Sequence, residues 1–419
     1  MKKSFLYAIT IAAALTACSS ENNMATNDTT DGLQPITIGV AAPSISAGTR
    51  GTGTVGSSDN TNCWMGQTVN VYMFNKGTLI PTRLREDDVS AIYENTPLKT
   101  PVGAASGELV RSDNRRSYYP ISGQSDFWGY RVDGAQTAAP TVEGNRMVVP
   151  FKIDGTQDLL LGAPDRSKWP ADSHHYFSAY SARTDLTYGN PLLVFKHQLT
   201  RLQFTGVAYQ NIKEYSENAT VISSNMVEQD LNWSKVQSDL NRFGSINLGV
   251  YIDAIMIKSA TTGKLIIADT QTNEQGVAWD ENSEEEFLTL KKRPDNDVTK
   301  NLEPIGTFQV SDKVVRPIGE ALLVSPKERY EIKVKMHQYR LKYSPDYIAT
   351  HGIAKPYVYT ELEWTLPNLI DLKTINAEAA GKPGYSYLLN LGISGSEQII
   401  LNGTLEPWGN GGEGFKPLE

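Results

Sequence analysis

Hydrophobic and polar residues alternate along four stretches of the chain, at 147–153, 246–253, 330–337 and 387–393. Alternation with a period of two gives a strand one apolar and one polar face, as the strands of an antiparallel sandwich require. A helical period is scarce, and the best candidate helix, at 227–240, keeps that period poorly. The pattern therefore predicts an all-β protein whose strands are separated by turn-forming residues.

A fifth apolar stretch changes its parity part of the way along. Its large apolar positions are Leu193, Phe195, Leu199, Leu202 and Phe204. The change of parity falls near Thr200 and predicts a β-bulge or a bend. A helical turn is the alternative, although Pro191 and Gly206 on either side favour a strand. His197 has the same parity as Phe195, so we expect a core histidine that hydrogen-bonds to backbone.

Residues 1–17 have the composition of a signal peptide, because two lysines precede a thirteen-residue apolar run that is too short to span a membrane. The tetrad LTAC at 15–18 resembles a bacterial lipobox. We therefore expect cleavage between Ala17 and Cys18, with a diacylglycerol on the Cys18 thiol; an ordinary signal peptide is the alternative. Residues 18–32 have almost no large apolar side chains, so they are predicted to form a lipidated, disordered tether. The expected location is the outer membrane, at the cell surface.

Charge and cysteine content narrow the classes of partner. The sequence has 39 basic and 47 acidic side chains, a net charge of −8, which becomes −10 if the signal peptide is removed with its two lysines. An acidic chain of this kind is not expected to bind nucleic acid. The chain has two cysteines, and acylation of Cys18 would leave Cys63 without a disulfide partner.

No combination of residues indicates catalysis. The five histidines have no Cys, Asp or Glu at metal-ligand spacing, and no GxSxG motif is present. A GxGxxG spacing at Gly51, Gly53 and Gly56 is followed by a polar run and a strand pattern, whereas a dinucleotide site needs a helix there. We therefore expect no enzyme activity, no cofactor and no metal; a hydrolase that uses two acidic residues stays an alternative.

Several segments, in order along the chain, resemble motifs of the fimbrillin family, the Mfa-like lipoprotein subunits of type V pili. They are YYPISGQSDFWGYRV at 118–132, TQDLLLGAP at 156–164, FKHQLTRLQF at 195–204, and GYSYLLNLGI at 384–393 followed by LEPWGNGG at 405–412. One departure is Gly129-Tyr130-Arg131, where the family more often has Ala-Tyr-Tyr. The resemblance implies two transthyretin-like antiparallel β-sandwich domains in tandem, which we place at 33–193 and 194–419.

The resemblance also implies a function, that of a structural pilus subunit or a tip or accessory subunit of a pilus. Members of this family are exported as lipoprotein precursors, lose an N-terminal strand to a protease, and assemble when a neighbour's strand fills the vacated groove. The expected partners are other pilus subunits, the outer membrane through the lipid, and a host or bacterial surface ligand. A surface glycan-binding lipoprotein of a carbohydrate uptake system is the alternative, since seven Trp and twenty Tyr would permit a platform of exposed aromatics.

The segment before Arg50 has the pattern of a strand that could fill such a groove. Its apolar face consists of Ile36, Ile38, Val40 and Ala42. The AGTRGTG segment at 47–53 is small, polar and rich in glycine, which gives a protease the mobile and exposed chain that it needs. Processing at an Arg in this region is what the resemblance implies. We predict cleavage between Arg50 and Gly51, which would remove residues 33–50 together with the lipid; an incidental arginine in a surface loop is the alternative.

Overall fold

The computed structural model describes residues 33–42, 64–166, 169–171, 176–208, 238, 246–294, 301–306, 308–309, 315–341, 350–351, 357–394 and 398–406. The predicted lipidation and signal-cleavage residues, Ala17 and Cys18, lie outside these ranges, as do Arg50 and Gly51 of the predicted maturation site. Nearly all of the candidate helix at 227–240 also lies outside them.

Within the described residues the chain is all-β, with two short helices. The strands of the first half are β1 Gly39–Ala41, β2 Trp64–Met65, β3 Thr68–Asn75, β4 Thr96–Lys99, β5 Val102–Ala104, β6 Ser106–Glu108, β7 Val110–Arg111, β8 Ser125–Val132, β9 Thr141–Glu143, β10 Arg146–Lys152, β11 Leu159–Pro164 and β12 Leu192–His197. Those of the second half are β13 Thr200–Ala208, β14 Ile246–Ser259, β15 Thr262–Asp269, β16 Gly276–Trp279, β17 Glu286–Thr289, β18 Lys291–Lys292, β19 Glu303–Pro304, β20 Phe308–Gln309, β21 Arg316–Val324, β22 Arg329–Leu341, β23 Tyr357–Asp371, β24 Ser386–Ser394 and β25 Gln398–Glu406. The helices are α1 Ala179–Thr184 and α2 Leu372–Ile375.

The four stretches of alternation form β10, β14, β22 and β24, which confirms the strands predicted there. The buried positions of β22 are Tyr330, Ile332, Val334 and Met336. In β14 the register against β22 shifts between Ile252 and Ala254, and the buried positions continue at Ile255 and Ile257. The bulge thus moves the apolar face by one residue, which a strict period of two does not foresee.

His337 lies on the polar face of β22, yet its side chain is largely covered. Its ring stacks on Tyr251 of β14 with a centroid separation of 4.8 Å, and Nδ1 lies 2.8 Å from Asp253 Oδ2. The polar face of this sheet is therefore partly packed instead of wholly solvated.

The largest sheet has eight strands in the order β6-β1-β12-β11-β8-β3-β4-β7. Its end strands, β6 and β7, are separated along the chain only by Leu109, so the chain itself joins the two ends and the sheet curls round a buried cluster. We call this cluster the N-terminal core. Its members are Ile36, Ile38, Val40, Ala42, Trp64, Val69, Val71, Met73, Tyr93, Leu98, Leu109, Tyr119, Phe127, Leu160, Phe177, Ala179, Ala182, Leu193 and Phe195.

The remaining large sheets have four or five strands each. Their orders are β16-β15-β10-β9, β21-β13-β24-β25, and β17-β14-β22-β23 with β20 also paired to β14. Two further pairs, β18-β19 and β2-β5, form small sheets. Most neighbours are antiparallel, but β1 is parallel to β12 and β13 is parallel to β24. The pairing of β10 with β15 joins strands from the two halves of the sequence.

A second cluster, which we call the shared core, connects the eight-stranded sheet to the other three large sheets. Among its members are Tyr72, Phe74, Trp128, Tyr130, Val149, Phe151, Leu199, Leu202, Phe204, Ile255, Leu265, Ile332 and Leu389. Strand β3 contributes to both cores, because Val71 and Met73 lie in the N-terminal core whereas Tyr72 and Phe74 lie in the shared core.

The change of parity near Thr200 marks the point where the chain passes from one core to the other. Phe195 in β12 belongs to the N-terminal core, whereas Leu202 and Phe204 in β13 belong to the shared core and to a different sheet. The predicted bend is thus confirmed, and a register shift between Leu202 and Phe204 adds a bulge within β13. The domain boundary predicted between 193 and 194 falls inside β12.

His197, the last residue of β12, is fully buried, as we expected. Its Nδ1 lies 2.8 Å from Oδ2 of Asp158, whose side chain is itself almost completely buried. The partner that the structure identifies for the imidazole is thus a carboxylate, which precedes the neighbouring strand β11. This contact ties the end of β12 to the start of β11, at the junction between the two cores.

Candidate functional site

The candidate site is the groove that holds the N-terminal strand. The structure places Ile36, Ile38, Val40 and Ala42 in the N-terminal core with exposed fractions of 8%, 1%, 0% and 8%. Thr37 on the opposite face is exposed. The apolar side chains of the strand thus fill the interior of the curled sheet, and its polar face is directed to solvent.

Backbone hydrogen bonds hold residues 34–42 from both sides. On one side, the N–H groups of Ile36 and Ala42 donate to the carbonyls of Ser117 and Ala105, each at 2.8 Å. On the other side, the N–H of Gly39 donates to the Pro191 carbonyl at 2.8 Å. The same strand therefore pairs antiparallel with β6 and parallel with β12.

The strand is the element that closes the eight-stranded sheet. Val40 lies opposite Gly107 of β6 on one side and Leu193 of β12 on the other. Without β1, those two neighbours would each present an unpaired edge, and the apolar side chains beneath would be open to water. The arrangement is that of a groove with two hydrogen-bonding rims and an apolar floor.

Phe195 forms part of that floor and rests on two glycines. A Cβ built at Gly162 would lie 2.7–2.9 Å from three ring carbons of Phe195, and one at Gly129 would lie 2.8 Å from its Cζ. The Trp64 ring meets the Phe195 ring edge-on, with centroids 5.5 Å apart. The Gly129 that departs from the fimbrillin pattern therefore provides the space that this phenylalanine ring occupies.

Two polar atoms in the walls of the groove are buried without a hydrogen-bond partner in the part of the chain that the structure describes. They are Nε1 of Trp64 and the hydroxyl of Tyr119, both on side chains with no exposed surface. Burial, with a smaller contribution from nearby Tyr93, raises the pKa of Tyr119 well above its usual range. A buried polar group left unpaired costs about 1–3 kcal/mol. Neither group could be recognised from the sequence, since unpaired burial depends on neighbours distant along the chain.

Two features are absent from the described residues. No group of three His, Cys, Asp or Glu side chains is placed there to hold a metal ion, and no helix there is long and apolar enough to cross a bilayer. Among those residues, the exposed large apolar side chains include one aromatic, Tyr180 on α1.

Comparison with known proteins yields structural neighbours but no sequence match. No family model matches the chain, and no curated protein matches it. A candidate cell adhesion protein from Bacteroides uniformis is 13% identical, with a TM-score of 0.42 and coverage of 91% of this chain and 100% of that one. The fimbrial anchor protein Mfa2 from Porphyromonas gingivalis is 11% identical, with a TM-score of 0.31 and coverage of 89% and 99%. A fimbrilin, FimA, from the same species is 8% identical, with a TM-score of 0.30 and coverage of 91% and 99%. Two of these three neighbours are fimbrial proteins.

Proposed function

We propose that the chain is a pilus subunit, or a tip or accessory subunit of a pilus, which is exported as an outer-membrane lipoprotein precursor and assembles by strand exchange. The observation that carries this proposal is the position of the N-terminal strand, which closes a sheet between two rims while its apolar face fills the core beneath. The segment that the sequence marks as removable is therefore also one whose removal would create a strand-binding groove.

The physical basis of the exchange is that an incoming strand makes the same kinds of contact as the resident strand. The rims would again be paired by backbone hydrogen bonds, and alternate side chains would again fill the floor, so the replacement changes the free energy of the subunit little. Cleavage after Arg50 turns the resident strand from a covalent part of the chain into a ligand. A strand from a neighbouring subunit can then compete for the groove.

Limited trypsin treatment of the folded precursor tests the cleavage and its consequence. We expect a main fragment that begins at Gly51, identified by mass spectrometry, together with filaments visible by electron microscopy. The Arg50→Gln precursor should give neither, whereas an exposed arginine elsewhere, replaced as Arg83→Gln, should leave both unchanged. Preferential cleavage at other sites with Arg50 protected would refute the maturation site.

Peptides of residues 33–42 test the groove itself. The trypsin-treated protein should capture the natural peptide and a Thr37→Asp peptide, since Thr37 is exposed, but not an Ile38→Asp peptide, because Ile38 is buried. Equal capture of the two substituted peptides would show that the groove does not select a strand by its apolar face.

Oligosaccharide binding by a monomer that forms no filaments would instead favour the alternative function, that of a glycan-binding lipoprotein.

A further inference from the structure

The resident strand leaves the polar groups of its own groove unsatisfied. Its four inward side chains, those of Ile36, Ile38, Val40 and Ala42, are hydrocarbon and cannot accept a hydrogen bond. The indole N–H of Trp64 can donate a hydrogen bond but cannot accept one. A wall of this kind is better matched by a strand that carries an acceptor at one inward position.

Two independent sets of contacts bring Ala42 and Trp64 into the same part of the groove. On one side, Ala42 donates its N–H to the Ala105 carbonyl, and the adjacent Ala104 pairs with Trp64. On the other side, the parallel register Ala41↔Val194 places Ala42 beside Phe195, whose ring contacts the Trp64 ring. Ala42 is also the smallest of the four inward side chains, so a hydroxyl there adds a single atom.

We propose that the groove is built to prefer an incoming strand with a serine or threonine hydroxyl at the position of Ala42, accepting a hydrogen bond from Trp64 Nε1. The resident strand is then a weaker occupant that a partner strand of this chemistry displaces. The use of this preference in assembly rests on the strand exchange proposed above. The pairing between the hydroxyl and the indole does not, and it is measurable in the uncleaved chain.

The full-length precursor gives the first test. Ala42→Ser should leave the urea midpoint equal to or above that of the natural chain, whereas Val40→Thr, which places a hydroxyl at the preceding inward position of the same strand, should lower it. When Trp64 is replaced by Phe, adding Ala42→Ser should lower the urea midpoint below that of the Trp64→Phe variant alone. With ¹⁵N-labelled tryptophan, Ala42→Ser should also shift the Trp64 indole resonance and slow its hydrogen exchange, a readout that does not require the Trp64 variant to fold. Equal losses for Ala42→Ser and Val40→Thr with the indole signal unmoved would overturn the inference.

Competition after trypsin treatment gives the second test. A peptide of residues 33–42 carrying Ala42→Ser should displace the resident strand at about one-tenth the concentration of the natural peptide, the ratio that one net hydrogen bond of about 1.4 kcal/mol provides. Equal displacement by the two peptides would overturn this inference and leave strand exchange intact. Displacement by neither peptide would overturn the proposed function.

Discussion

Replacement of Gly162 by alanine tests the packing on which the floor of the groove depends. The new Cβ would lie 2.7, 2.8 and 2.9 Å from ring carbons of Phe195, whereas carbon atoms in favourable contact are about 3.5–4.0 Å apart. The ring has no exposed surface and is held by Trp64, so it cannot move away without disturbing its neighbours. The clash therefore has to be relieved by a shift of the strand or of the core.

The expected cost follows from two opposing effects. Overpacking of a buried site costs about 1–3 kcal/mol. Loss of glycine's freedom in the unfolded chain returns about 0.4–1 kcal/mol. We therefore expect Gly162→Ala to lower the free energy of unfolding by about 1–2 kcal/mol. Gly276→Ala is the matched control, because a Cβ there has no neighbour within 4 Å and its backbone is not in the left-handed region.

Urea denaturation followed by tryptophan fluorescence measures both variants. Phe195→Leu provides the rescue, since a smaller side chain over Gly162 removes the clash. The double variant should be more stable than the sum of the two single losses predicts, as neighbouring residues that share a contact are coupled. If Gly162→Ala is as stable as Gly276→Ala, or if the losses simply add, Phe195 does not rest on this glycine.

Three further predictions concern other parts of the molecule. Phe204→Ala should cost about 3–5 kcal/mol, because the ring is 2% exposed in the shared core, and a cost under about 1 kcal/mol would mean that β13 is not a core strand. Hydrogen bonds from Arg146 and from the backbone N–H of Gln271 hold the pKa of Asp269 at about 2, below the value of about 3.9 for an Asp in the unfolded chain. The ionised Asp269 carboxylate therefore contributes fully to stability above pH 4, and this contribution is lost as the pH falls towards 2. Asp269→Asn should accordingly lose less stability than the natural chain between pH 4 and 2, and equal slopes would contradict this. Cys18→Ala should abolish incorporation of radioactive palmitate, and labelling that persists would remove the lipoprotein interpretation.

The strands that the sequence predicts best are those with one covered face. In β22, the apolar side chains between Tyr330 and Met336 are buried and the lysines between them are at least partly exposed, so the period of two is visible in the sequence. In β3, both parities are apolar because the strand separates two cores, with Met73 on one side and Phe74 on the other. There the sequence indicates a strand but not which residues share a core.

The composition of the groove could be predicted only in part. The alternation from Ile36 to Ala42 predicts an amphipathic strand, and the structure buries those side chains. The wall at Trp64 and the floor at Phe195 could not be predicted, since these two residues meet only after strands far apart in the sequence have paired. The same holds for the contact between His197 and Asp158, because a buried histidine is recognisable from parity whereas its partner is set by the neighbouring strand.

The pairing of β10 with β15 also affects how the chain reaches its folded state. Arg146 and Asp269, which are bonded across that ladder at 2.7 Å, are 123 positions apart. Native contacts between such distant segments make folding slow, because the entropy cost of closing a long loop comes before the stabilising contacts can form. A chain that emerges from the ribosome cannot complete its first half until residue 269 has been synthesised. If the chain is exported as proposed above, this delay would keep it unfolded for longer before it is translocated.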